Sequence, residues 1–380
     1  MSYNFRILQR LMLLLLACFV GPLIIMLFFT TLQSVQLVQQ HCIPFSYVKP
    51  LPPPQRCTFP TCFDYTKCHS KRIRTYFYPR ILLDKGNEMT TQSLLHDSFI
   101  ATLKNLSWLE PTDDAGNACL LIPHIADFRC DVRHPCNGQT LSRHLPFWNG
   151  GRNHLIFDTS SSSSSATAAV GRAILWTVQS LRAVVRPAYD IGIILPHTAM
   201  QTAHAAHPHA RQIFLSFRGV SVSPEFSLAE LESLSNVVIA IQCLSTSSFR
   251  CTRTQSQQLY EATDDDALLD DTIFALVLDG YAEPLHHRLS RVLSAGAIPV
   301  IIHDDFVPPF RDIIQWNTFS IHCPSKDISQ LGALLHRFSS MKIHQMQQRV
   351  KQIYAEYFSD LNVAFENGME IVKKHLYTLQ

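Results

Sequence analysis

A chain of 380 residues, 47% of them hydrophobic and 16% charged, can bury a large core, which excludes a disordered protein and fits two domains better than one. Its 32 basic and 30 acidic residues give a formal charge of +2, and removing Arg6 and Arg10, which precede the first apolar run, leaves 30 against 30. A chain with no net basic field offers nothing general to a polyanion, so nucleic acid is excluded as a partner and an acidic ligand must be met by a local patch.

No charged residue falls between Leu11 and Leu32, and about 20 apolar residues at 1.5 Å each are enough to cross a hydrocarbon core. The residues that follow, TLQSVQLVQQ, hold no small-residue cleavage pattern, so the run predicts an uncleaved transmembrane signal-anchor. Arg6 and Arg10 place residues 1–10 in the cytosol and everything after the span in the lumen, as a single-pass type II protein. Of eleven cysteines, Cys18 lies in the span; the other ten make an even number suited to an oxidising compartment. Cys57 with Cys62, Cys68 with Cys119, and Cys243 with Cys251 are candidate disulfides, although spacing alone does not set connectivity. Asn105-Leu106-Ser107 is a glycosylation sequon consistent with the same topology. Residues 33–56 end in VKPLPPPQR and read as an extended stem.

From Cys57 onward the chain reads as strands and helices in alternation. IRTYFYP (73–79), ACLLIPHI (118–125), RNHLIFD (152–158) and YDIGIILP (189–196) predict strands, and SLLHDSFIATLKNL (93–106) and AAVGRAILWTVQSLRAVV (168–185) predict helices. The serines Ser160 to Ser165 have no apolar residue to bury and read as a loop. After the segment PHTAMQTAHAAHPHARQ the pattern restarts: strand IFLSF, helix SLAELESL, strands VVIAI and DDTIFALVL, a helix over Leu285 to Ala295, and strand AIPVII. Such alternation predicts an α/β architecture of two Rossmann-like domains with parallel sheets facing a cleft, residues 57–200 and 201–340. In residues 341–380, apolar positions at three- and four-residue steps from Ile343 to Leu361 predict one long helix crossing back over the first domain.

Several polar groups attract attention. Asp264-Asp265-Asp266 could bind a divalent ion, but reads better as a solvated acidic loop, because no strand precedes it. His197, His204, His207 and His209 lack the i, i+4 spacing of a helical zinc site and read as a polar linker, so no metal is expected. Lys71, Arg72 and Arg74 read as a solvated strand end. Asp304-Asp305 follows the last strand, where it is either a base for a hydroxyl or a cap, and no catalytic base is assigned.

CFDYTKC, TYFYP, ACLLIP, WNGGRNHLIFD, YDIGIILP, FLSFRG and GAIPVIIHDDFVPPFRDIIQWN occur in an order and spacing that resemble the N-terminal glycosyltransferase module of the exostosin family. The block Trp148 to Phe157 is the most specific, and the resemblance runs from about Cys57 to the C-terminus. It implies a GT-B-like, metal-independent module in the endoplasmic reticulum and Golgi. That module is associated with glucuronosyl transfer from UDP-glucuronic acid to a heparan sulfate chain or linkage oligosaccharide. It also implies no cofactor beyond the UDP-sugar and another exostosin-family glycosyltransferase as partner. The chain resembles a short homologue without the second, N-acetylglucosaminyl-transferring module.

The resemblance also points to donor-binding candidates: Arg218 and Gly219 in FRG, Gly280, and Arg288 and Arg291 on the helix before the PV strand. The family pattern there is similar to P-R-G followed by R-F-L-E-A-L. Here Asp279 stands where a basic residue is expected and Arg291 where an acid is expected; a guanidinium accepts no hydrogen bond from a ribose hydroxyl. Three readings follow: a weakly catalytic or accessory subunit supporting a partner exostosin; an active glucuronosyltransferase drawing positive charge from Arg218, Arg288, His286, His287 or Arg291; and a membrane-tethered glycan-binding or scaffold protein.

Overall fold

The computed structural model describes residues 57–80, 91–125, 138–159, 170–178, 185–197, 211–221, 228–243, 254–278 and 283–378. The apolar run, the stem and the linker histidines 204, 207 and 209 lie outside these; among the described residues no helix is long and apolar enough to cross a membrane.

The first half forms β1 (Ile73–Phe77), α1 (Thr91–Lys104), β2 (Leu109–Pro111), β3 (Leu120–Ile122), α2 (Gly138–His144), β4 (Leu155–Asp158), β5 (Ile174–Thr177) and β6 (Ile191–Gly192). All pairings are parallel, in the orders β2-β1-β3 and β4-β5-β6. A parallel bridge between Leu121 and His154 joins the two ladders into one row. The second half contributes β7 (Ile213–Ser221), β8 (Val237–Cys243), α3 (Thr254–Ala262), α4 (Asp265–Asp270), β9 (Thr272–Leu278), α5 (Leu285–Ser294), β10 (Ile298–Ile302) and β11 (Ile321–Cys323). Its sheet is wholly parallel, in the order β11-β10-β9-β7-β8. Each row therefore reverses strand order at its first strand, β2-β1-β3 in one and β8-β7-β9 in the other. Carboxyl ends diverge at such a reversal and leave a crevice for a ligand.

Sequence dictates these strands through continuous burial. TIFALVL and IPVII are covered on both faces, as parallel strands under helices must be, and every residue of β10 is buried. Helix α5 buries Leu285, Leu289, Val292 and Leu293 along one stripe. It ends where Gly296 turns left-handed (φ 69°), so that Gly296 N donates to Leu293 O and Ala297 N to Val292 O. Glycine is the residue that enters that conformation at no steric cost, which is why AGA leads directly into β10.

Three expectations need correction. In the segment 168–185, of which residues 170–178 and 185 are described, the expected helix is interrupted: ILWT at its centre is β5, all four residues buried between β4 and β6, and burial on both faces removes the polar face an amphipathic helix needs. The acidic run is not a solvated loop. Asp264 caps α4, accepting from Ala267 N at 2.9 Å, and Asp265 is buried. The C-terminal region is broken rather than continuous: α6 (Ile328–Leu335) is followed by α7 (Ser340–Ile353), a wide turn over Tyr354–Phe358, and α8 (Leu361–Thr378). Strand β2 was not expected, and SLAELESL forms only the one-turn helix Ala229–Glu232.

Helix α8 returns to the first half. Phe365 meets Phe99 of α1 at 5.2 Å between ring centroids, Phe157 of β4 at 5.4 Å and Trp176 of β5 at 6.1 Å, an edge-on aromatic cluster. Thr102 donates to Asn362 at 2.7 Å, and Tyr377 to the Lys71 carbonyl at 2.8 Å. Arg72 is exposed at the strand end, as expected, and donates to the carbonyls of Ser107 (2.9 Å) and Leu109 (2.6 Å) beside β2.

Candidate functional site

Among the described residues, the chain at and beyond the carboxyl end of β6 touches the second half repeatedly. Ser290 of α5 donates to the Leu195 carbonyl at 2.7 Å, Phe310 N to the Gly192 carbonyl at 3.3 Å, and His197 lies 3.6 Å from Asp266 at the start of α4. Phe310 follows β10, so these contacts join the carboxyl edges of the two sheets, where both strand-order reversals lie.

On the second-sheet side, the structure brings Arg288 and Arg291 together around one carboxylate. The Arg288 Nη1 donates to both oxygens of Asp265 at 2.9 Å, its Nε to the Leu276 carbonyl at 3.2 Å, and its guanidinium faces the Phe217 ring at 5.5 Å. The side chains of Arg288 and Asp265 are only 2% and 5% exposed. Arg291 reaches Asp265 at 2.6 Å, Asp266 at 2.9 Å and Glu283 at 3.5 Å. Burial pulls the Arg291 pKa down, but these three carboxylates more than restore it. Burial pushes the Asp266 carboxyl up, and the hydrogen bond and charge of Arg291 outweigh it, holding the group below the usual carboxylate range.

Arg218, near the carboxyl end of β7, is not with them. It stacks on Tyr260 of α3 at 3.7 Å and donates to the Tyr260 carbonyl at 3.2 Å. Gly219 pairs with Ile241 of β8, while Asp279 and Gly280 lie outside the described residues. Burial drives His286 down to about 3 and lowers His287 as well, so both are neutral near pH 7 and neither supplies the positive charge sought there. Asp304 accepts from Ser325 N at 2.9 Å, 21 residues along the chain and so not the local cap before VPPF, and Asp305 N donates to His303 Nδ1 at 3.0 Å.

On the first-sheet side lies a group that sequence reasoning missed. His124 sits two residues beyond β3, Arg80 three residues beyond β1, and Ser93, His96 and Asp97 lie on α1. His124 Nε2 is 2.8 Å from one oxygen of Asp97; Arg80 is 3.4 Å from the other and also donates to Ser93. Burial lowers the His124 pKa, with Asp97 opposing and Arg80 and Lys104 assisting. His96 beneath is 2% exposed and rests on the Phe157 ring at 5.0 Å; burial drives it to about 3. Its Nδ1 has no hydrogen-bond partner among the described residues. The available signal was positional, a histidine just beyond the carboxyl end of β3 and an aspartate on α1, the helix that follows the neighbouring strand β1.

Elsewhere, Cys57 is bonded to Cys62 and Cys68 to Cys119, and Cys323 is also in a disulfide. The Cys243 side chain and Cys251 lie outside the described residues. Asn105 is exposed just after α1. No cluster of His, Cys, Asp and Glu able to hold a metal ion occurs among the described residues.

A family model described as the exostosin GT47 domain matches residues 47–338, most of the chain. This protein belongs to the exostosin GT47 family. It is 25% identical over 347 residues to Exostosin-2 of Mus musculus, covering 84% of this chain and 47% of that protein. It is 23% identical to Exostosin-1b of Danio rerio, covering 84% and 45%. The Exostosin-1 homolog of Caenorhabditis elegans is 22% identical, with 85% of this chain and 90% of that one covered. The chain thus spans about half the length of the vertebrate exostosins it matches and nearly the whole of the nematode one. Among solved structures, WaaG, a glycosyltransferase involved in lipopolysaccharide biosynthesis, is similar at 10% identity and a TM-score of 0.35, covering 78% of this exostosin-family chain and 99% of that one. So distant a likeness adds nothing to the strand order above.

Proposed function

We propose that this exostosin-family protein acts in heparan sulfate chain synthesis as a weakly catalytic or accessory subunit beside another exostosin-family glycosyltransferase. In this reading the apolar run Leu11–Leu32 anchors it in the endoplasmic reticulum and Golgi membrane, and a GT-B-like pair of Rossmann domains stands in the lumen. The observation that carries the reading is the buried ion pair of Arg288 Nη1 with both oxygens of Asp265, which leaves Nη2 as the one nitrogen of that guanidinium without a partner among the described residues. A diphosphate leaving group needs cations free to take up its developing charge. Arg288 is buried against its own carboxylate, Arg291 is shared among three, and His286 and His287 are neutral. Family membership supports the pathway, and this pairing supports a donor side of low charge.

The test is calorimetric titration of UDP and UDP-glucuronic acid into the full-length protein in detergent, alone and then with a partner exostosin. Expected is no saturation by UDP below roughly 1 mM for the protein alone, with faster chain extension by the partner when this protein is added. Saturable micromolar UDP binding by the protein alone would replace the reading with an active glucuronosyltransferase. Neither binding nor an effect on the partner would leave a glycan-binding or scaffold protein.

A further inference from the structure

Titratable side chains crowd the carboxyl edge of the first sheet in a way its packing does not require. Tyr78 and His154, one strand further along, show what a structural histidine looks like here: His154 is fully buried, its Nε2 3.0 Å from Tyr78 Oη and its Nδ1 3.0 Å from the Arg152 carbonyl, so both ring nitrogens are used. His124 differs. Its Nε2 meets Asp97, but its Nδ1 has no partner among the described residues, and its side chain is 15% exposed. It lies at the reversal β2-β1-β3, where a parallel sheet opens its crevice. Asp97 is braced in turn by Arg80, and Arg80 by Ser93. A second polar atom, His96 Nδ1, is buried beside the group without a partner among the described residues.

From this geometry we infer that His124, oriented by Asp97, is the proton-accepting residue for the hydroxyl of a saccharide acceptor bound at the carboxyl edge of the first sheet. The inference rests on the reading of the chain as a weak transferase. Asp97 accepts the Nε2–H bond, which fixes the tautomer with a lone pair on Nδ1 and stabilises the imidazolium that forms. In the step itself the acceptor O–H bond breaks and its proton passes to Nδ1. The oxygen forms a bond to the anomeric carbon of a UDP-sugar, and the bond from that carbon to the phosphate oxygen breaks, with the electron pair leaving on UDP. The titratable groups facing His124 are Asp97, the neutral His96 and Lys104 from α1 and Arg80 from the segment after β1. Burial keeps the ring neutral near pH 7, the form that can accept a proton.

The experiment uses full-length protein and an unsulfated oligosaccharide of alternating glucuronic acid and N-acetylglucosamine. Histidine acylation by diethyl pyrocarbonate is read by mass spectrometry with and without the saccharide. Protection of His124 but not of His69, an exposed histidine before the amino end of β1, is expected, and it needs no turnover. Where transfer by the protein alone or with its partner is measurable, His124→Gln lowers it by about 100-fold or more. Asp97→Asn lowers it less, with KM for the acceptor changed under about threefold and the acidic limb of the pH profile displaced, which a purely structural role would not produce. Unchanged labelling of His124 at saturating saccharide overturns the inference, as does parental transfer by His124→Gln. Loss of UDP binding leaves it standing, because labelling reports the acceptor side and the UDP titration the donor side.

Discussion

Arg288 with Asp265 and Arg80 with Asp97 are the same chemical pair in two settings. The first lies at the second sheet with 2% and 5% of the side chains exposed and two 2.9 Å hydrogen bonds; the second lies at the first sheet with 39% and 35% exposed and a single 3.4 Å contact. Water screens the exposed pair, so it is worth about 0–1 kcal/mol and its groups stay available to a ligand. The buried pair is costly to break because either partner left alone is a desolvated charge. The two carboxyl edges therefore hold similar residues for different ends: one has spent its arginines on the fold, and the other has kept a histidine and its carboxylate near solvent.

The sharpest way to break this comparison is to remove Asp265. Asp265→Ala leaves Arg288 unpaired in the core and takes one of three carboxylates from Arg291, so a loss of about 3–5 kcal/mol is expected, read as a large drop in the denaturation midpoint of the full-length protein. Replacing the pair by Asp265→Leu with Arg288→Met recovers most of it, since two well-packed apolar side chains need no compensation. Arg80→Met, at the exposed pair, changes stability by no more than about 1 kcal/mol. Similar losses at both sites would sink the distinction.

A burial effect without charge makes the second test. A Cβ built on Gly368 of α8 would stand 2.2 Å from Cζ2 of Trp176, which is fully buried in β5 and cannot swing away. Gly368→Ala gains about 0.8–1 kcal/mol of helix propensity but overpacks the seam by more, for a net loss of about 1–3 kcal/mol. A stabilised variant would show that α8 is held more loosely than its aromatic cluster implies.

How much of this was legible follows from where each partner lies. The strands TIFALVL and IPVII and the stripe of α5 are patterns a few residues long, and they stand where the periodicity puts them. ILWT was misread because a doubly buried strand within a longer apolar stretch has no alternation to betray it. Arg288 was recognisable as a basic residue on the helix before β10, yet its partner Asp265 lies 23 residues away on α4, and no local rule could announce that this charge was already taken. The first-sheet group has the same difficulty, with 27 residues between Asp97 and His124, while the position of His124 just past a strand end could have been marked beforehand.

The third test is pH. His96 at the first sheet and His286 at the second are both held neutral by burial, with folded-state values of about 3 against an ordinary value near 6.5. The unfolded chain therefore binds the extra proton first. Each histidine's contribution is complete above about pH 6.5 and is lost as the pH falls from there toward 3, by about 1.4 kcal/mol per pH unit per group. Denaturant midpoints measured from pH 7.5 to 5 should fall, and His96→Gln and His286→Gln should each flatten the slope. A profile unaltered by both changes would mean that neither histidine is as dry as it looks.

The smallest expected effect bears most directly on the donor side. Asp266 is 47% exposed, so Asp266→Asn costs under about 1 kcal/mol of stability. It nevertheless removes the outer carboxylate from Arg291, whose side chain is 21% exposed, and leaves the guanidinium with Asp265 and the longer 3.5 Å contact to Glu283. If internal carboxylates are what lower the positive charge available at the start of α5, UDP binding should tighten a few-fold, more at low salt than at high, because an exposed cation is screened by ions. Tightening that survives at 1 M salt would point to a shape change instead. An unchanged titration would place the cause in residues other than Arg291, and the buried Arg288–Asp265 pair would then be the next to open.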